Sequence, residues 1–155
     1  MSDQQAARGH RGLSGPVEPV PTHAETLQAL PEPVLEACRL QALADELGDS
    51  TPAIRFLSTY LSMLPGRILR ISNGLCMHDP EASMDAVLSL KISSSMVGAL
   101  ETETQCRALE SMIREDHFDS AVQALPALRN STDRCFAAGP QLLGKAQESL
   151  CKGQR

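Results

Sequence analysis

The sequence predicts an all-α fold: an antiparallel up-down four-helix bundle with an additional N-terminal helix and a disordered N-terminal leader. Apolar residues between positions 54 and 75 recur in steps of three and four, the spacing of one helix face. Helix-start signals, a polar cap followed by proline, recur along the chain. Aromatic residues make up only 3% of the chain. Leu, Ile, Val, Ala and Met must therefore fill the core, and long segments of Leu, Ala and Met favour helix over strand.

Three segments are predicted along the chain. Residues 1–31 carry seven glycines and prolines and few apolar residues, which indicates a disordered leader. Residues 32–138 contain the helical bundle. Residues 139–155 form a short C-terminal helix or tail.

Cap residues define the first two helices of the bundle segment. The first covers Val34–Leu47 and ends at Gly48, a residue that accepts the left-handed conformation after a helix. The second starts at the cap Thr51, with Pro52 at the first helical position, and continues to about position 77. Pro65 predicts a kink within it. Its core-facing stripe is Ile54, Leu57, Leu61, Leu64, Ile68, Ile71 and Leu75.

Three further helices complete the bundle. Asp79 and Pro80 start the third, which runs to about position 98, the fourth spans Glu101–Arg114, and the fifth begins near Phe118 and ends at Gly139. A short helix is expected over 141–150. Short connections between long amphipathic helices place neighbours antiparallel. The core-facing positions are Val87, Leu90, Ser94, Val97, Cys106, Leu109, Ile113, Ala121, Leu125, Leu128 and Cys135.

Composition excludes several classes of function. A net charge of −5 argues against a nucleic-acid ligand. No apolar run approaches the ~18 residues of a membrane span. The five cysteines form no CxxC pair and no zinc-ligand spacing, and no secretory signal precedes them, which indicates a cytoplasmic protein without a metal site. No phosphate-binding glycine loop or acid–base pair is present, so we expect no enzyme activity, no cofactor and no small-molecule substrate.

The segment 88–99 carries the functional signal. If Val87, Leu90, Ser94 and Val97 face the core, then another face of the third helix presents four residues at i, i+3, i+4 and i+7. These residues are Leu88, Lys91, Ile92 and Ser95. The opposite helix phase would make Leu88 and Ile92 core residues instead.

This segment resembles the signature of the histidine-containing phosphotransfer (HPt) family. That signature reads His-x-Leu-Lys-Gly-Ser-Ser, three residues and Gly-Ala, then Cys-x-x-Leu-Glu and an Arg. The matching residues are Leu90, Lys91, Ser93, Ser94, Gly98, Ala99, Cys106, Leu109, Glu110 and Arg114. The resemblance covers about residues 34–132. It implies an HPt-like bundle and a role in two-component phosphorelay signal transduction.

Two departures fall at the site itself. The phosphorylated histidine of the family corresponds to Leu88, and the glycine four residues later corresponds to Ile92. Lys91 matches the lysine that lies beside the phosphate in the family, although it also fits a solvated helix lysine. The resemblance therefore implies a protein that does not carry phosphate and binds the receiver domain of a response regulator, or a sensor kinase, through Leu88, Lys91, Ile92 and Ser95.

Two alternatives remain open from the residues alone. The chain fits a structural or oligomerising helical bundle without a phosphorelay role. It also fits a working phosphotransfer protein that uses His78 or His117. Each of these histidines lies beside a turn between helices, where a surface residue is the simpler interpretation.

Overall fold

The structure is a computed structural model that describes residues 34–153. These residues form six helices. No strand occurs within these residues. The disordered leader expected over residues 1–31 lies outside them. The helices are α1 (Ala37–Leu47), α2 (Ser50–Cys76), α3 (Pro80–Val97), α4 (Leu100–Arg114), α5 (Phe118–Ala137) and α6 (Gly139–Gly153).

Helices α2 to α5 form the up-down bundle that the sequence predicts. Tyr60 of α2 contacts Ser94 of α3, while Arg67, further along α2, contacts Ser89, so these two helices run antiparallel. Helix α4 pairs with α3 on one side and with α5 on the other. Helices α1 and α6 pack against α2 from outside the four. None of these six helices combines the length and hydropathy that a bilayer crossing requires.

The apolar stripe of α2 faces the core along nearly its whole length. Six of its seven predicted residues are buried, and Leu57, Ile71 and Leu75 are fully so. Ile54 is the exception, because it lies in the first turn of α2, where it is half-buried at the edge of the core. The core-facing residues predicted for α3, α4 and α5 are all buried.

Helix boundaries agree with the sequence at most ends. The Asp79 carboxylate accepts a hydrogen bond from the Ala82 N–H, as its predicted cap role requires. At α2 the predicted cap was wrong: Asp49 caps the helix and accepts from the Thr51 N–H, because its carboxylate reaches two residues into the first turn. Helix α2 continues without interruption through Pro65. Helix α6 begins two residues earlier than expected, at Gly139.

Gly98, at the end of α3, is hydrogen-bonded to the residue that precedes α1. Its φ of 85° is left-handed, and its carbonyl accepts a hydrogen bond from the Glu36 N–H at 2.8 Å. A Cβ at this position would collide with the backbone of Glu36. Glycine is therefore required here for both conformation and close approach.

A buried hydrogen bond joins the middle of α2 to α3. The hydroxyl groups of Tyr60 and Ser94 lie 2.8 Å apart, and Ser94 is fully buried. Burial raises the pKa of the Tyr60 hydroxyl well above its usual value. This contact turns the side of α3 that carries Ser94 toward α2.

Candidate functional site

The rotation of α3 presents the predicted residues on its outer side. Val87, Leu90 and Ser94 are fully buried, whereas Ile92 is 57% exposed and Leu88, Lys91 and Ser95 are half-buried. The alternative phase, with Leu88 and Ile92 in the core, is wrong. We call the surface formed by Leu88, Lys91, Ile92 and Ser95 the α3 face.

Lys91 is held in an ion pair and is not a freely solvated lysine. Its Nζ donates to Glu110 Oε2 of α4 at 2.6 Å. The other oxygen of Glu110 is 2.6 Å from Nη2 of Arg114. The Glu110 side chain is only 7% exposed, so Lys91 has a buried carboxylate partner within the domain, which it shares with Arg114. Lys91, Glu110 and Arg114 are three of the positions that carry the HPt resemblance.

The surroundings of Glu110 favour its charged form. The hydrogen bond from Lys91, helped by the charge of Arg114, lowers the pKa of the Glu110 carboxyl below its usual value of 4.5, although desolvation opposes the shift. A carboxyl group with a lowered pKa in the folded state stabilises the fold above its unfolded-state pKa. This stabilisation is lost as the pH falls through the folded-state pKa.

Glu110→Gln is therefore expected to destabilise the domain at neutral pH by about 1–3 kcal/mol, because Lys91 loses a charged hydrogen-bond partner. The difference from the parent protein should shrink as the pH falls from 4.5 through the lowered folded-state pKa of Glu110, because the carboxyl group of the parent protein then becomes protonated as well. Urea unfolding of both proteins at about pH 7 and about pH 3 measures this. Glu115→Gln, an exposed change at the end of α4, is the control. A pH-independent difference for Glu110→Gln would contradict the prediction.

Ser95 is also engaged within the domain. Its hydroxyl accepts a hydrogen bond from Arg39 Nη1 of α1 at 3.0 Å. Glu103 of α4 lies 4.0 Å from the same Arg39 nitrogen and 2.6 Å from Arg107. The polar members of the α3 face thus contact neighbouring helices, and its aliphatic members, Leu88 and Ile92, have no polar group to satisfy.

Sequence reasoning missed two residues beside this face. Met96 is 37% exposed and extends the row of Leu88 and Ile92 by one more helical turn. The i, i+4 spacing was a signal that could have found it. Arg67 of α2 donates from Nη1 to the Ser89 hydroxyl at 2.6 Å. No local sequence pattern links Arg67 to Ser89, because the two residues lie 22 positions apart in the chain.

The two described histidines lie away from the α3 face, at the turns that the sequence predicted. The ring of His78 stacks on Phe118 at a centroid distance of 5.1 Å, and its Nε2 lies 4.0 Å from an Asp119 oxygen. His117 is exposed immediately before α5. Leu88 lies eight residues into α3, about 12 Å along the helix axis from its first residue.

Other features of the described residues offer no reactive group at this face. Burial raises the pKa of the Cys106 thiol to about 12, which keeps it protonated. No group of three or more His, Cys, Asp or Glu side chains within residues 34–153 is arranged to hold a metal ion. Two cavities, of about 220 Å³ between α2 and α5 and about 140 Å³ between α1, α2 and α6, have no lining residue on the α3 face.

One comparison with known proteins identifies the fold. No family model matches the chain, and no curated protein matches it. Among solved structures, the chain is similar to histidine-containing phosphotransfer protein B from Pseudomonas aeruginosa PAO1, with a TM-score of 0.64 and 20% identity. The match covers 74% of this chain and 98% of that one. The domain therefore has the helical-bundle fold of an HPt protein.

Proposed function

We propose that this protein binds the receiver domain of a response regulator in cytoplasmic two-component signalling and does not accept a phosphoryl group from it. One observation carries the proposal. The surface where the HPt resemblance puts the reactive histidine is exposed, and it presents the aliphatic side chains of Leu88 and Ile92. A docking surface is retained there without a phosphoacceptor.

The chemistry of the α3 face supports the absence of phosphotransfer. Leu88 has no nitrogen to attack an aspartyl phosphate, and the Nζ of Lys91 donates a hydrogen bond to Glu110. The Ser95 hydroxyl is hydrogen-bonded to Arg39, a cation that cannot act as a general base. No side chain of this surface therefore combines a nucleophilic atom with a group that activates it.

The apolar area of the face favours weak, reversible binding. Burying Leu88 and Ile92 against a partner contributes roughly 3–6 kcal/mol before costs. Loss of translational and rotational freedom opposes association by about 4–15 kcal/mol. Contacts outside these two residues must add to the affinity.

The test is a titration of the purified protein with each receiver domain from the source organism, followed by incubation with the same receivers carrying labelled phosphate. We expect saturable binding to at least one receiver and no label on this protein. Acid-labile label would overturn the proposal and point to His78 or His117, because phosphohistidine is lost in acid. Binding to a sensor kinase but to no receiver domain would overturn the proposed partner and identify the kinase as the partner instead. Self-association without binding to either would favour the structural alternative.

A further inference from the structure

Basic side chains beside the α3 face differ in whether their charge is already compensated. Lys91 is paired with Glu110, and Arg70 of α2 lies 3.3 Å from Asp85 of α3. Arg67 is different: among residues 34–153 no carboxylate oxygen lies within 4.0 Å of its guanidinium, which donates a hydrogen bond to the neutral Ser89 hydroxyl. Arg67 therefore brings to the outer side of α3 a positive charge that pairs with no carboxylate in the described part of the chain.

The position of Arg67 is fixed by its contact with α3. Its Nη1 donates to Ser89, and its Nε is buried without a hydrogen-bond partner in the described part of the chain. Ser89 precedes Ile92 by three residues, a spacing that separates their Cβ atoms by about 5–6 Å on a helix. Arg67 is half-buried, and charge interactions at such a position are stronger than in bulk water.

The same helix pairing adds apolar surface on α2. Because Tyr60 meets Ser94 and Arg67 meets Ser89, the α2 residues between them run alongside the α3 residues near Ile92. Met63 precedes Arg67 by one helical turn and is 44% exposed. The surface beside Ile92 thus continues onto α2, where it consists of the exposed Met63 and, one helical turn later, the positively charged Arg67.

We propose that Arg67, and not Lys91, supplies the positive charge of the docking surface and binds a carboxylate of the receiver domain next to the contact with Ile92. This inference rests on the proposed receiver binding. A carboxylate meeting Lys91 has to compete with Glu110, whereas the Nη2 amino group of Arg67 has no hydrogen-bond partner among residues 34–153 and can make a charge-assisted hydrogen bond. The planar guanidinium is also well suited to a carboxylate at an interface.

The experiment compares three glutamine variants, each of which lowers the net charge by one unit: Arg67→Gln, Lys91→Gln and Arg129→Gln. Arg129 is an exposed arginine of α5 that lines the cavity between α2 and α5 and serves as the control. Affinity for the cognate receiver is measured at low and high salt, with the melting temperature of every variant. We expect about tenfold weaker binding and reduced salt dependence for Arg67→Gln, a smaller loss for Lys91→Gln, and less than about threefold change for the control Arg129→Gln.

The outcomes separate this inference from the proposed function. If Arg67→Gln binds as tightly as Arg129→Gln, or if Lys91→Gln has the larger effect, the inference is wrong although receiver binding stands. Ser89→Ala, which keeps the charge and removes the hydrogen bond, is expected to lose less affinity than Arg67→Gln, and an equal loss would also overturn the inference. Failure of the unmodified protein to bind any receiver would overturn both proposals.

Discussion

Leu88→Asp and Ile92→Asp are each expected to reduce receiver binding by at least about a hundredfold while the domain stays folded. Ile92 is 57% exposed and Leu88 is half-buried at the surface, so neither change places a charge in the core. Surface substitutions of this kind typically change stability by under about 0.5 kcal/mol. A carboxylate that loses its water against an apolar partner costs far more, since even a neutral amide or hydroxyl group costs roughly 2–7 kcal/mol.

Leu69→Asp provides a matched control for these two variants. Leu69 is 60% exposed on α2 and lies about 200° around that helix from Arg67, away from the α3 face. Titration calorimetry and thermal unfolding of all three variants separate binding from folding. Unchanged affinity in Leu88→Asp and Ile92→Asp, or an equal loss in Leu69→Asp, would contradict the docking surface. A collapse in melting temperature for Leu88→Asp would show that this half-buried residue is needed for the core.

The fold could be predicted because its determinants are local in sequence. The apolar residues of α2 recur at the spacing of one helix face. Asp79 and Pro80 mark the start of α3, where the Asp79 carboxylate accepts a hydrogen bond from the Ala82 N–H, three residues later in the chain. The side of α3 that faces solvent followed from the same spacing. The start of α2 was misplaced because Asp49 and Thr51 both have cap side chains, and the sequence alone does not show which one accepts the hydrogen bond.

The state of the site's polar groups could not be predicted, because it depends on contacts between distant helices. Lys91 and Glu110 are 19 positions apart, and Arg39 and Ser95 are 56 apart. Sequence placed Lys91 and Ser95 on the correct face but gave no indication that other helices already bind them. The position of Arg67 beside the α3 face could not be predicted for the same reason, because its contact with α3 joins residues far apart in the sequence.

Leu88→His combined with Ile92→Gly is expected to create a phosphate acceptor where the parent protein has none. The imidazole restores the nucleophilic nitrogen, and the glycine removes a β-branched side chain whose Cβ lies about 5–6 Å from that of residue 88. The glycine costs roughly 1 kcal/mol of helix stability, which a well-packed bundle tolerates. Lys91 and Arg67 then flank the new histidine on opposite sides of α3, toward α4 and α2 respectively. Arg67 favours a nearby phosphate, whereas a phosphate meeting Lys91 has to compete with Glu110.

Leu88→His alone is the control, and it should accept far less phosphate, because the stiff Ile92 side chain crowds the ring and blocks an in-line approach of the receiver's aspartyl phosphate. The measurement is transfer of labelled phosphate from a cognate receiver, followed by acid treatment that releases phosphate from histidine. Label on the double variant and little on the single variant would show that the side chains of residues 88 and 92 together prevent this surface from accepting phosphate. If a folded, receiver-binding double variant stays unlabelled, the two substitutions do not account for the missing chemistry. The orientation of the bound receiver would then be the remaining difference from an active phosphotransfer protein.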